Sequence, residues 1–499
     1  MNSTEPLRVV IASSEAVPFS KTGGLADVAS ALTRALSERG VDVSLFVPLH
    51  RIPEGRKVPN IYDCGLNFRV PVGEGSVEVG VKWAELPNST ARVFFIDQPK
   101  YFDRDGLYGD SDGDFGDNCA RFVFFSRAVL EAAKQLVLRP DVVHANDWQT
   151  GLIPALLDAE YRGQAGFENT GSVFTIHNIA YQGQFWHHDM SLTGLDWKYF
   201  NFEQLESHGN LNLLKAGIAL SDQVNTVSPT YAKEIQTGEF GYGLEGVLQH
   251  HNAKLSGILN GIDTGEWNPA TDPLLSDNYD IDSVSDGKPK CKRVLQETFA
   301  LPQRSDVPLV GMVSRMSTQK GFDIIAEAAP MFLRHDLQLC ILGTGDESCE
   351  RMVMELAEKY PDKVAVKLAF SEELAHRIEA GSDVFLMPSR YEPCGLNQMY
   401  SLAYGTLPLV RSTGGLADSV VGVSESSLFA GRANGFSFKD YTATALAEAF
   451  DIMIATYAKP DTWERMVKTG MKQDWSWNRS AAEYERLYRL VVAARSDSK

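Results

Sequence analysis

The hexapeptide Thr-Gly-Gly-Leu-Ala-Asp occurs twice in this chain, at residues 22–27 and again at 413–418. Each copy follows an apolar, strand-like run (residues 9–12 and 407–410), and the first opens a helix-like run from Leu25 to Glu38. A strand, a glycine turn and a helix start together make an anion site, because the N–H groups of the first helical turn point outward and the helix dipole favours negative charge. Gly23 and Gly24 let the backbone approach a ligand with no Cβ in the way. Lys21 adds a mobile point charge suited to phosphate. The alternative for this stretch is a tight turn beside a solvated lysine. The repeat predicts two similar α/β halves facing one cleft.

The rest of the chain keeps the rhythm. Strand-like and helix-like runs alternate from residue 8, as in a parallel βαβ sheet, and the alternation restarts near residue 308. Two runs around Val72-Gly73-Glu74-Gly75 read as an inserted hairpin, residues 210–220 read as a helix, and 264–289 reads as loop or linker. The expected domains are 1–254, 255–474 and a terminal helix in 475–499. The length, 499 residues, suits two cores rather than one. A net charge of −18 argues against non-specific nucleic-acid binding and against an anionic membrane surface. Six cysteines without a C-x-x-C pair, and a polar start with no signal-peptide h-region, suggest a reducing cytoplasm. No apolar run reaches the length of a membrane span.

In parallel α/β sheets, ligands sit beyond the carboxyl ends of strands. The runs 141–150 and 171–178 place His144, Asp147, His177 and Asn178 near such ends. His144 lies inside its strand and reads as a hydrogen-bonded core residue. His177, followed by a polar turn, reads as functional. The aspartate-dense loop 107–118 fails as a calcium loop on spacing, because Phe115 stands at the glycine position and Arg121 at the bidentate glutamate. It reads as a solvated loop.

In the second half, Arg315 and Lys320 flank a turn after a strand. They suit a diphosphate, one as a bidentate fork and one as a point charge, or they are solvated surface cations. In Tyr391-Glu392-Pro393-Cys394-Gly395-Leu396-Asn397 a carboxylate precedes a helix start. Glu392 could hold sugar hydroxyls while amides of the same turn meet phosphate, or it could simply complement the helix dipole.

These stretches, with 175–183 and 259–269, resemble the bacterial glycogen synthase family, the ADP-glucose-dependent family that includes plant starch synthases. The resemblance runs nearly end to end. It implies a GT-B fold, two Rossmann-like doubly wound domains facing a deep interdomain cleft. It implies retaining transfer of glucose from ADP-glucose to the non-reducing end of glycogen or another α-1,4-glucan, with no metal or other cofactor.

Carried over by residue, Lys21, Gly23 and Gly24 should meet the donor phosphates, and Arg315 and Lys320 should neutralise the departing diphosphate. Glu392 should hold the glucose hydroxyls, with the Cys394-Gly395-Leu396-Asn397 turn contacting sugar and phosphate. His177 should lie over the glucose, and Asp147 and Asn260 should line the same pocket. Phe370 stands where the family often has a tyrosine stacked on adenine. Asn397 stands where threonine or an apolar residue is usual. Domain closure is expected to assemble the site. Two competing readings are a GT-B transferase using UDP-glucose or a small sugar acceptor, and an inactive glucan-binding protein.

Overall fold

The computed structural model describes residues 6–497. The outermost ends of the expected first and last domains, 1–5 and 498–499, and with them most of the polar start, lie outside the described residues. The chain forms two compact units. One comprises the chain up to Asn260 together with Trp477 onward, and the other is Gly261–Ser476.

In the first unit nine strands form one sheet, in the order Leu255–Gly257, Gln223–Thr226, Gly171–Ile176, Val142–Asn146, Arg8–Ala12, Asp42–Pro48, Arg92–Asp97, Gly75–Glu85 and Tyr62–Val72. The first seven are parallel; the last two are the antiparallel hairpin. Side chains alternate across the sheet. Val10 and Ala12 join one apolar core with the helix Asn118–Gln135, while Val9 and Ile11 join another with the helix Gly24–Glu38. From the central strand Arg8–Ala12 the chain winds outward to one side and then, from Val142–Asn146, to the other. The order therefore reverses between these two strands, which is where ligands bind in open α/β sheets.

The first unit ends six residues later than residue 254, because Leu255–Gly257 pairs in parallel with Gln223–Thr226 and so belongs to this sheet. The terminal helix Trp477–Asp497 also packs here. It buries Tyr484 and Tyr488, and Ser480 Oγ donates to the Leu259 carbonyl at 2.6 Å.

The second unit has six parallel strands in the order Val364–Leu368, Gln338–Gly343, Leu309–Val313, Val384–Met387, Leu407–Arg411 and Phe436–Phe438. Here the reversal falls between Leu309–Val313 and Val384–Met387. The same plan thus appears twice.

Two local expectations are corrected. The run 210–220 opens as a short strand, Asn210–Asn212, paired with Gln184–Phe185, and the helix is Leu213–Leu220. Asn212 accepts the Lys215 N–H at 2.9 Å, so it caps the helix and cannot lie inside it. The stretch 264–289 is no free linker. Trp267 stacks on His376, Asp272 and Tyr279 are buried, and a helix, Val284–Thr298, begins within the stretch and accommodates Pro289.

Candidate active site

In the first unit the loop after Arg8–Ala12 carries a residue that the sequence reading passed over. Glu15 is 3% exposed. Its carboxylate accepts the Thr22 and Gly23 backbone N–H groups, the Thr22 hydroxyl at 2.6 Å and the Tyr108 hydroxyl at 2.6 Å. The amides of the glycine turn that were expected to greet an external anion are thus already turned onto an internal one. Gly23 and Gly24 face open space, since a Cβ built on either meets nothing within 4 Å. Lys21 is exposed and pairs with Asp27 at 2.8 Å.

Residues 110–114 are exposed, as expected of a solvated loop, but Tyr108 is half-buried and turns inward. Its hydroxyl is 2.7 Å from Ser14 Oγ, and Asn118 Nδ2 donates to its carbonyl at 2.8 Å. Burial and the Glu15 carboxylate push its phenol well above the usual range. Glu15 lies just past a strand end, so the rule that singled out Asp147 would have found it. Tyr108 left no such mark, because its contacts are made across the fold.

Across the reversal, Val142–Asn146 ends at Asp147, which holds a left-handed backbone conformation (φ 57°). That is uncommon for a residue with a side chain and gathers at functional sites. Its carboxylate accepts the His177 N–H at 2.7 Å. Burial raises its pKa to about 7, against the lowering effect of the His177 and Asn178 N–H groups. His177, half-buried, sets Nε2 2.9 Å from Asn146 Oδ1. Burial lowers its pKa to about 3, so the imidazole is neutral at ordinary pH. His144 is a core residue, with Nδ1 2.8 Å from the Tyr488 hydroxyl and Nε2 2.6 Å from Thr175 Oγ1. Asn260 is buried, and its Oδ1 has no hydrogen-bond partner among the described residues. A ligand hydroxyl or amide could satisfy it.

In the second unit the two strands flanking the reversal supply Lys320 and Glu392. Lys320 Nζ is 2.7 Å from Glu392 Oε2, and Ser389 Oγ donates to the same oxygen at 3.0 Å. Glu392 is 6% exposed. The second glycine motif packs behind this loop. A Cβ on Gly414 would lie 1.9 Å from the Glu392 carbonyl, and one on Gly415 would lie 2.1 Å from the Cys394 carbonyl. The two hexapeptides therefore do different work: the first leaves its glycines open, and the second uses them for close backbone packing.

Asn397 Nδ2 donates to the Val313 carbonyl at 3.0 Å and ties the start of its helix to the end of Leu309–Val313. Gly395 adopts a left-handed φ of 71°, Cys394 is buried, and Leu396 precedes the helix Asn397–Ala403. Arg315 is exposed and has no ion-pair partner among the described residues. Phe370, just past Val364–Leu368, is 93% exposed, an aromatic face with no cover from its own unit.

Two Rossmann-like units, each with charged loops where its strand order reverses, are the architecture of the GT-B class. A glycogen synthase of Geotalea uraniireducens (strain Rf4) is 44% identical over 500 residues, covering 98% of this chain and 99% of that protein. One from Anaeromyxobacter sp. (strain Fw109-5) is 45% identical over 488 residues, covering 98% and 100%. The chain belongs to the glycogen synthase family.

Residues 8–250 match the starch synthase catalytic domain, and 296–473 match the glycosyl transferases group 1. The catalytic domain of starch synthase IV from Arabidopsis thaliana, solved bound to ADP and acarbose, superposes with a TM-score of 0.89 at 33% identity, covering 98% of this chain and 100% of that one. Sucrose-phosphate synthase from Thermosynechococcus elongatus, at 18% identity and a TM-score of 0.61 over 98% and 100%, shares the fold. The family passes a sugar from a nucleotide-sugar donor to a glucan acceptor, and the nucleotide leaves. Among the described residues no helix is long and apolar enough to cross a membrane.

Proposed function

We propose that the chain transfers glucose from ADP-glucose to the non-reducing end of an α-1,4-glucan such as glycogen, releasing ADP with retention at the anomeric carbon. The observation that carries this reading is the Lys320–Glu392 pair, a cation and a carboxylate 2.7 Å apart beyond the strand ends of the second unit. One can meet a leaving phosphate while the other holds sugar hydroxyls. The ADP and acarbose on the Arabidopsis starch synthase support a nucleotide diphosphate and an α-glucan as the ligand classes.

In this reading Arg315, Lys320 and Lys21 stabilise the charge that develops on the diphosphate, the work that fixed cations do best in a water-poor site. They supply that charge without a metal. Glu392 orients the glucose, with the Cys394–Asn397 turn beside it. His177 stays neutral and offers a hydrogen bond to the sugar rather than a charge, and Asp147 holds its backbone. Asn260 lends its unpaired Oδ1 to the same pocket. Phe370 stacks on the base through its ring face, without the hydroxyl of the tyrosine that the family often has there. The leaving phosphate helps deprotonate the acceptor hydroxyl on the face it leaves. The cytoplasm suits six cysteines that form no disulfide.

The test is product analysis. Incubation with ADP-glucose and a maltooligosaccharide should release one ADP per glucose added, with the new anomeric proton resonance that of an α-linkage. A β-linkage, or ADP release without chain growth, would contradict the proposal.

A further inference from the structure

Away from the strand-end loops, the second unit contains a buried histidine that is set up like a metal ligand. His376, on the helix Glu372–Gly381, is 2% exposed. Its Nδ1 lies 2.7 Å from Asp272 Oδ2. Asp272 is itself buried and fixed, because the same oxygen accepts the Tyr404 hydroxyl at 2.6 Å while Oδ1 accepts the Leu274 N–H at 2.9 Å. The imidazole is stacked on Trp267, ring centroids 3.8 Å apart and planes 15° from parallel. Its position and tilt are therefore set from several sides.

The other ring nitrogen, Nε2, is buried and has no hydrogen-bond partner among the described residues. Buried polar atoms are nearly always partnered, so an orphan of this kind calls for a ligand. Two carboxylates stand beside the ring. Oxygens of Glu266 and Glu372 and a ring nitrogen of His376 all lie within 4.8 Å of one another. Glu372 precedes His376 by one helical turn and shares its face, and Glu266 is adjacent in sequence to the stacking Trp267. Both carboxylates are exposed, so water can complete a coordination shell.

We propose that Glu266, Glu372 and His376 bind a divalent first-row transition-metal ion, zinc foremost, with Asp272 orienting the imidazole from behind. One imidazole nitrogen with two carboxylates is a donor set that suits zinc or manganese better than magnesium or calcium, which prefer oxygen alone. A carboxylate on the far nitrogen of a metal-bound histidine fixes the tautomer and raises ligand basicity. At the metal–ligand distances usual for zinc, about 2.0–2.2 Å, the three donor atoms must draw closer together, which the long glutamate side chains allow. The ion would clamp the segment around Trp267 to the start of Glu372–Gly381, two residues past Phe370. It is a structural ion, separate from the cations that meet the diphosphate.

The experiment is equilibrium dialysis of the EDTA-stripped, full-length protein against Zn2+, with Mn2+, Mg2+ and Ca2+ in parallel and metal analysis of the retentate. The expected result is one equivalent of Zn2+ per chain, with Mg2+ and Ca2+ much weaker. The double variant Glu266→Gln/Glu372→Gln changes only exposed side chains and should bind at least about tenfold more weakly. Zn2+ should also raise the thermal midpoint of the wild type and leave that of the double variant unchanged. Cobalt substitution should give visible d–d bands in the wild type alone. Equal binding by wild type and double variant overturns the proposal. So does no binding to either.

Discussion

Lys320 and Glu392 come from loops after two strands that neighbour one another where the strand order of the second unit reverses, and their side chains meet at 2.7 Å. The pair holds two opposite charges, one of them mostly buried, in a fixed relation before any substrate arrives. Lys320→Ala should lower kcat by about 10²–10³, the usual cost of removing one preorganised charge-stabilising group, with a smaller effect on KM. Lys320→Arg should recover part of the loss. It would leave Glu392 paired, so steady-state kinetics alongside urea unfolding separates a catalytic deficit from a folding one.

The two hexapeptides should respond in opposite ways to the same substitution. Gly415→Ala forces a Cβ to 2.1 Å from the Cys394 carbonyl, so the Glu392 loop must shift. A stability loss of about 1–3 kcal/mol is expected from such overpacking. Gly24→Ala meets nothing within 4 Å. It should be neutral or stabilise by about 0.4–1 kcal/mol through the unfolded state, yet raise the donor KM. Denaturant midpoints and donor titrations of the two variants give a direct comparison.

Glu15 holds the first glycine turn. Replacing it with alanine takes the acceptor from the Thr22 and Gly23 N–H groups and leaves the Tyr108 hydroxyl with Ser14 Oγ alone, at a cost of about 1–3 kcal/mol for each group that water cannot reach. Glu15→Gln keeps one acceptor oxygen and should fall between wild type and alanine. Amide hydrogen exchange at Thr22 and Gly23 should speed up in both variants, and most in Glu15→Ala.

The pH dependence of stability has two opposing parts. The Asp147 carboxyl is raised to about 7 by burial from an ordinary 3.8. The folded chain keeps a proton there that the unfolded chain releases, so this group weakens the fold as pH rises from about 4 to about 7. His144 and His177 are lowered to about 3 by burial. They stabilise the fold fully above about 6.5, and that contribution is lost as pH falls toward 3. Asp147→Asn removes the first part. Its stability change between pH 5 and pH 7 should exceed that of the wild type by about 2–3 kcal/mol, read by urea unfolding at both values.

Much of this was legible in the sequence, for physical reasons. Apolar runs of period two, glycine turns and helix starts mark βαβ units locally, so both sheets and most of their helices could be read off. The candidate residues fell at strand ends because parallel sheets put ligands there. Residues whose placement depends on distant partners were not legible. Glu15 and Tyr108 find each other across 93 positions, and Asp272 meets His376 across 104. No local pattern encodes such pairs. Asn212 was misread because a helix-like apolar period ran through a residue whose side chain caps the helix. The stretch 264–289 was misread because its Asp, Ser and Pro content suggests solvent, whereas Trp267, Asp272 and Tyr279 turn inward.

The most direct test of the central claim is incorporation of labelled glucose into glycogen from ADP-glucose and UDP-glucose, measured side by side with EDTA present. The account predicts strong incorporation from ADP-glucose, little from UDP-glucose, and no loss on chelation. Incorporation from UDP-glucose alone, or from neither donor by a protein that still binds nucleotide sugar, would contradict it.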